Sequence, residues 1–170
     1  MEHLERKEHS LPTLSMERAS EADIQALIEI EKSIPETNTY SHMFTEEEWK
    51  EELASNTIEI LKLGDVVVGS LTYEEKSPEH IYISGIVVRP EYQGKGIATN
   101  AIKSVLEKYP DAERIDLVTH PDNPALRIYE SLGFKVEERK EDYFGDGEPR
   151  LVLARTNTPG SVSNEVSPAQ

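Results

Sequence analysis

Apolar residues recur along this chain in two rhythms, and the changes of rhythm mark out its elements. Leu14 to Ala19 is a short candidate strand. Ser20 with Asp23 makes a capping pattern, and Ile24, Leu27, Ile28 and Glu31, with Ile30, set a helical period that fades before Pro35. Glu36 to Phe44 is a loop holding Tyr40, His42 and Met43. Thr45 and Glu48 form the capping box of a second helix, with Trp49 and Leu53 facing inward. Thr57–Leu63 and Val66–Tyr73 are rich in β-branched residues and flank Gly64-Asp65, a hairpin signal. Glu74 to Glu79 reads as a polar turn. The strand Ile81–Val88 follows and carries Gly85, which predicts a bulge or a close backbone approach.

After Arg89-Pro90 the chain passes Gly94 and Gly96 and enters a helix from about Gly96 to Tyr109, apolar at Ala98, Ile102, Val105 and Leu106 and stopped by Pro110. Arg114–Thr119 is the next strand; because it follows a helix, it is expected to run parallel to Ile81–Val88 through a right-handed crossover. Asn123 suits an N-cap and Pro124 a first helical position, with Leu126, Tyr129 and Leu132 on one face and Gly133 as the stop. Phe134–Lys140 and Arg150–Arg155 read as closing antiparallel strands across the loop Glu141 to Pro149. These elements lie in one domain over 14–155, between a polar arm at 1–13 and a tail at 156–170 rich in Ser, Pro, Thr and Asn, expected to be disordered.

Composition narrows the chemistry. A formal net charge of −15 over 170 residues opposes nucleic acid and anionic membranes and favours cationic partners such as amines, polyamines or basic peptides. The absence of cysteine excludes disulfides, thiolate metal sites and a cysteine nucleophile, and is compatible with a cytoplasmic setting. His3, His9, His42, His80 and His120 show no metal-ligand spacing, so no metal is expected. No run approaches the roughly 20 apolar residues of a membrane span.

One stretch points to a ligand. A strand that empties through glycines into a helix start is suited to anions: the first helical N–H groups lack partners, the dipole there is positive, and glycine lets a phosphate approach the backbone. Here Gln93-Gly94-Lys95-Gly96-Ile97-Ala98 fits Gln/Arg-x-x-Gly-x-Gly/Ala, and downstream lies Asn123-Pro124-Ala125-Leu126-Arg127-Ile128-Tyr129-Glu130-Ser131-Leu132-Gly133-Phe134. In this order the two segments resemble the acetyl-CoA loop and the Leu-Tyr-x-x-Leu-Gly-Phe signature of the GNAT superfamily of N-acetyltransferases.

The resemblance covers about residues 14 to 155. It implies an α/β (α+β) fold with a central, mixed, mostly antiparallel sheet of about six or seven strands, a splayed parallel pair and about four flanking helices. It implies acetyl-CoA as co-substrate. Gly94, Lys95, Gly96, Ile97, Ala98 and Thr99, with Gln93, would hold the pyrophosphate, and the amides of Ile86, Val87 and Val88 would pair with the pantetheine arm. Arg89, Lys95, Lys103 and Arg127 are placed to offset the acidic chain. Tyr129 would protonate the leaving thiolate. The asparagine that bonds the pantetheine arm in this family sits seven residues before that tyrosine; here Asp122 holds that place and Asn123 is six before, so both stay open.

The general base is where the chain departs from the pattern. The matching positions are Ser84 and Gly85 on one strand and Leu117 or Val118 on the other, none a proton acceptor. His120 and Asp116, on one face of the second strand, are fallback candidates, and a water relay from Glu79, His80 or Tyr82 is an equal alternative. A site without a strong base suits an α-amine better than a lysine amine. Asp142-Tyr143-Phe144-Gly145-Asp146-Gly147-Glu148-Pro149-Arg150 also resembles the corresponding loop of ribosomal-protein alanine and archaeal N-terminal acetyltransferases, with Pro-Arg in place of Asp-Ala. The expected acceptor is therefore a peptide or protein N-terminus, gripped by Tyr143 and, from the first interhelical loop, Tyr40. Small amines and polyamines, a non-catalytic acyl-CoA sensor, and either a monomer or a homodimer remain compatible with the sequence.

Overall fold

A computed structural model describes residues 13–36 and 42–156. Seven strands form one mixed sheet in the order β1-β2-β3-β4-β5-β7-β6. They are β1 (Leu14–Arg18), β2 (Thr57–Leu63), β3 (Val66–Ser77), β4 (His80–Val88), β5 (Arg114–Thr119), β6 (Lys135–Lys140) and β7 (Arg150–Thr156). Every pairing is antiparallel except β4 with β5, which the helical crossover makes parallel. The helices are α1 (Ile24–Ser33), α2 (Glu46–Ser55), α3 (Ile97–Lys108) and α4 (Leu126–Ser131).

Two apolar layers sandwich the sheet. On one face Ile97, Ala101, Ile102 and Val105 of α3 and Tyr129 of α4 pack on Leu71, Tyr73, Ile81, Ile83, Ile115, Leu117 and Leu153. On the other, Ile24, Leu27, Ile28 and Ile30 of α1 and Trp49 of α2 pack on Ala19, Ile58, Ile60 and Val87. Period-two alternation along β4 and β5 produces this division, and helical periodicity supplies each cover. The start of α2 is fixed as expected: Thr45 Oγ1 accepts the Glu48 N–H at 3.2 Å while Glu48 Oε1 accepts the Thr45 N–H at 3.2 Å. Before α1, Asp23 accepts the Ser20 N–H at 2.9 Å, and one 3₁₀ turn (Glu21–Asp23) precedes the helix.

The structure corrects three boundaries. The expected polar turn Glu74–Glu79 is mostly strand: Glu74 pairs with Tyr82 and Glu75 with Ile81, leaving Pro78-Glu79 as the connection. The partner strand satisfies the backbone there, so side-chain polarity costs nothing at an exposed strand end. Helix α4 starts at Leu126, with Ala125 rather than Asn123 as its cap, because the chain first closes a turn through the Leu126 N–H to the Asn123 carbonyl, 3.1 Å. Residue 134 precedes β6; Phe134 is buried against Tyr129 instead. The expected arm and tail lie outside the described residues, except for Thr13 and Thr156. No helix among the described residues is long and apolar enough to cross a membrane.

Gly69 on β3 sets how closely β3 and β4 approach. A Cβ there would stand 2.2 Å from the Val87 carbonyl oxygen. Gly69→Ala is expected to force the strands apart and cost on the order of 1–3 kcal/mol, as overpacking does. Urea unfolding checks it; an unchanged midpoint would show that the strands yield freely.

Candidate functional site

The site begins where two strands part. The β4–β5 ladder runs from His80↔Arg114 to Ile83↔Leu117 and ends there. Strand β4 stays paired with β3 as far as Val88↔Gly69. The register slips between Ile83↔Tyr73 and Gly85↔Thr72, so Ser84 is the extra residue of a β-bulge and Gly85 lies beside it. The Arg89 N–H donates to the Val68 carbonyl at 2.8 Å, and the Val87 carbonyl also faces β3. Because backbone groups alternate along a strand, the N–H groups of Ile86 and Val88 turn the other way, into the gap beside β5, whereas that of Val87, expected to join them, faces β3. The Gln93 amide confirms that direction by donating to the Val88 carbonyl at 3.0 Å. Gln93 thus ties the following loop to the strand end.

The loop closes on a 3₁₀ turn, Pro90–Tyr92. Gly94 and Gly96 both have φ of +79°, a left-handed conformation that favours glycine, and nothing lies within 4 Å of where a Gly94 Cβ would stand. Gly96 is the N-cap of α3 and, having no side chain, caps nothing. The N–H groups of Ile97, Ala98 and Thr99 therefore open onto the loop with the positive end of a 12-residue helix behind them. Lys95 Nζ lies 5.4 Å from the Tyr92 ring centre. The Arg89 Nε is buried without a hydrogen-bond partner among the described residues. Open glycines, uncapped amides and an unsatisfied guanidinium nitrogen fit a polyanionic group such as the coenzyme A diphosphate.

Tyr129 stands on α4, buried, its ring edge-on to Phe134 with centroids 6.4 Å apart. Burial pushes its phenol up to about 12, so at neutral pH it is a proton donor and never a phenolate. Asn123 is held from both ends. Its Nδ2 donates to Thr119 Oγ1 at 2.8 Å and its Oδ1 accepts the Ala125 N–H at 2.9 Å. Asp122 is exposed, and its N–H donates to His120 Nδ1 at 3.0 Å.

His120 is 2% exposed. Its Nδ1 accepts a backbone N–H and must carry a lone pair, so the ring proton sits on Nε2 and points at Glu148 Oε2, 2.9 Å away. Both nitrogens are committed, which leaves no lone pair for an acceptor amine. Asp116 is likewise engaged: Oδ1 with His80 Nε2 at 2.8 Å, and Oδ2 with Arg114 Nε at 2.9 Å. Arg114 is in turn bidentate to Glu137, which it holds below the ordinary carboxylate range. Tyr82, level with Asp116 on β4, is pushed up to about 12, chiefly by burial and then by Tyr143, Asp116, Glu74 and Glu52 around it. A phenol held that high is no base.

Over this face stands the β6–β7 loop. Tyr143 and Phe144 are exposed and meet edge to face at 4.7 Å. Sequence inspection missed what supports them. Arg150 is buried, lies 5.1 Å from the Phe144 ring centre, and binds Asp146 Oδ2 at 2.8 Å. The Pro-Arg substitution in the motif was the available signal. Tyr40 lies outside the described residues. Beyond it, Met43 packs under α1 and α2, and Phe44 is exposed and stacked on His42 at 5.0 Å. Among the described residues no group of side chains could hold a metal ion. A groove of about 600 Å³ lies instead at the far end of α3, lined by Lys103, Leu106, Ile115, Leu132 and Arg155 and by none of these groups.

Comparison with known proteins agrees with this geometry. The family model described as Acetyltransferase (GNAT) family matches residues 24–134. The chain is 38% identical over 79 residues to an N-alpha-acetyltransferase of Saccharolobus solfataricus, covering 44% of this chain and 47% of the relative. It is 39% identical over 96 residues to a spermidine N(1)-acetyltransferase of Escherichia coli, covering 45% and 50%. The chain spans about half the length of the curated relatives it matches. The crystal structure of the ribosomal-protein-S18-alanine N-acetyltransferase of Escherichia coli superposes with a TM-score of 0.71 over 85% of this chain and 94% of that one, at 16% identity, which establishes the fold.

Gly94→Ala tests the loop. A non-glycine residue at φ +79° is strained by about 1–2 kcal/mol, and relieving that strain turns the amides aside. Calorimetric titration with coenzyme A is expected to weaken by about tenfold, and stability to fall by no more than that strain of about 1–2 kcal/mol. Unaltered affinity would show that this loop does not carry the diphosphate.

Proposed function

We propose, from the premise that this chain belongs to the acetyltransferase (GNAT) family, that it is an acetyl-CoA-dependent N-acetyltransferase whose acceptor is the α-amine of a peptide or protein N-terminus. The observation that carries the reading is the parting of β4 from β5 beyond Ile83, beside an uncapped helix start and a buried, protonated tyrosine. Acetyl-CoA, when bound, supplies an acyl group activated as a thioester. The amides at Gly94–Thr99, with Lys95 and Arg89, would take the diphosphate. Ile86 and Val88 N–H groups would pair with the pantetheine arm and polarise the thioester carbonyl, an arrangement worth about 2.7–4 kcal/mol per donor in measured cases. Tyr129 would give its proton to the departing thiolate, whose reference pKa of about 8.5 lies well below that of the phenol. Asn123, fixed by Thr119 and the turn before α4, holds that helix in place.

The acceptor is argued from the missing base. Ser84, Gly85, Leu117 and Val118 offer none, His120 and Asp116 are already engaged, and the relay expected from Glu79 or His80 would act only through water. At pH 7 an α-amine, pKa about 7.7–8.0, costs only about 1–1.4 kcal/mol to deprotonate, whereas a lysine amine costs roughly 4.6. An α-amine can therefore surrender its proton to water. Tyr143, close enough to Tyr82 to help raise its phenol, would flank the incoming N-terminus. A second reading is supported by the spermidine acetyltransferase relative and by the net charge of −15: polyamines, whose cations suit an acidic chain.

Incubation with acetyl-CoA and panels of peptides, lysine derivatives and polyamines, read by mass spectrometry, separates the two. Label on peptide N-termini is expected; label confined to polyamines or lysine side chains overturns the acceptor assignment. Tyr129→Phe is expected to lower kcat by about a hundredfold while coenzyme A affinity stays within about twofold. Because the phenol lies near 12, the rate should rise with pH as the amine deprotonates and show no fall from tyrosine ionisation below about pH 11. A descending limb centred near pH 9 would remove Tyr129 from the acid role.

A further inference from the structure

His120 is buried, fully bonded and far too committed for proton abstraction, yet it ends β5 beside the proposed reaction centre. Its bonds lead outward in a continuous series. Nε2–H donates to Glu148 Oε2 at 2.9 Å. The Glu148 backbone N–H donates to Asp146 Oδ1 at 3.0 Å. Asp146 Oδ2 accepts from Arg150 at 2.8 Å, and together these two donors hold its carboxyl below the ordinary range. The Arg150 guanidinium lies against Phe144, and Phe144 meets Tyr143 edge to face. The rest of the loop is knotted on itself. Asp142, at φ +51°, accepts the Gly147 N–H at 2.6 Å on its side chain and the Gly145 N–H at 3.2 Å on its carbonyl. A loop that is stiff internally moves as one piece, so where it sits depends on its ties to the sheet.

We propose that His120 is a positioning residue that pins the β6–β7 loop to the end of β5 and so sets where the Tyr143–Phe144 pair stands relative to the proposed acceptor site. This rests on the acceptor reading above and assigns His120 to substrate grip, with no part in proton transfer. Charged groups facing the pin are Glu148 and Asp122 on its two sides, with Asp146 and Arg150 behind Glu148. The neutral tautomer satisfies both partners, so the pin needs no change of charge to work.

Two substitutions separate the ring's two bonds. His120→Asn keeps a polar atom near the Nδ1 position and can still accept the Asp122 N–H, but cannot reach Glu148. His120→Gln keeps a donor near the Nε2 position. The expected result for His120→Asn is a rise of about tenfold in the acceptor KM, with kcat and the acetyl-CoA KM unchanged, because a hydrogen bond to a charged group is lost. His120→Gln is expected to restore the acceptor KM. Glu148→Ala cuts the same bond from the half-exposed side and is expected to match His120→Asn, which guards against a variant that fails to fold. Hydrogen exchange of amides 142–148 provides a readout independent of turnover: faster in His120→Asn and Glu148→Ala, near wild type in His120→Gln. If no peptide is acetylated but the exchange pattern holds, the acceptor reading fails and the pin stands. If all variants exchange alike, or if His120→Gln loses kcat with a changed pH profile, the pin is wrong.

Discussion

The site rests on a failure of pairing. Two parallel strands hold each other through four residues and then part, and beyond that point the β4 donors on the β5 side have no strand partner among the described residues. In a closed sheet those donors would be spent on structure. Here the bulge at Ser84 turns β4 while its other edge stays bound to β3, so the strand is firmly held on one side and open on the other. Preorganisation of this kind is what lets a main-chain donor act on a bound carbonyl without moving first. Gln93 completes the arrangement by donating to the Val88 carbonyl and so tying the loop to the open strand end.

Around that opening the polar groups divide by function. Those at the start of β4 and β5, His80, Asp116, Arg114 and Glu137, satisfy one another and stiffen the sheet where it is still paired. Those at the end of β5, Thr119, His120 and Asn123, spend their bonds on the turn before α4 and on the β6–β7 loop. In both groups the carboxylates and imidazoles are tied into hydrogen bonds within the fold. The proposed preference for an amine of low basicity is the counterpart of that arrangement. The chemistry asked of the protein is orientation and donation, and Tyr129, dry and protonated, is suited to the second.

The main elements were legible because their signals are local. Capping residues, the glycine pair and the switch from period two to period 3.6 each act over a few residues, and so does the strand-to-helix turn at Gly94–Gly96. The bulge was placed within one residue, at Ser84 beside Gly85. What escaped is non-local. The commitment of His120 depends on Glu148, 28 residues away, and that of Asp116 on His80, 36 residues away. Alternation put His120 and Asp116 on one face but could not show that their lone pairs were taken. The strand character of Glu74–Ser77 was hidden because its polarity resembles a turn, while its backbone is satisfied by a partner. Arg150 reads as a surface charge until the fold buries it beneath Phe144.

Val87 and Val88 are consecutive, yet they belong to different interiors. Val87 packs with α1 and α2 on one side of the sheet, and Val88 packs with α3 on the other. The open end of β4 is therefore a shared wall between the layer that would meet the acceptor and the layer that would meet the cofactor. Pressure on either layer reaches the same pair of peptide groups. Any change that filling one side makes to affinity on the other would have to be matched by an equal factor in the reverse direction.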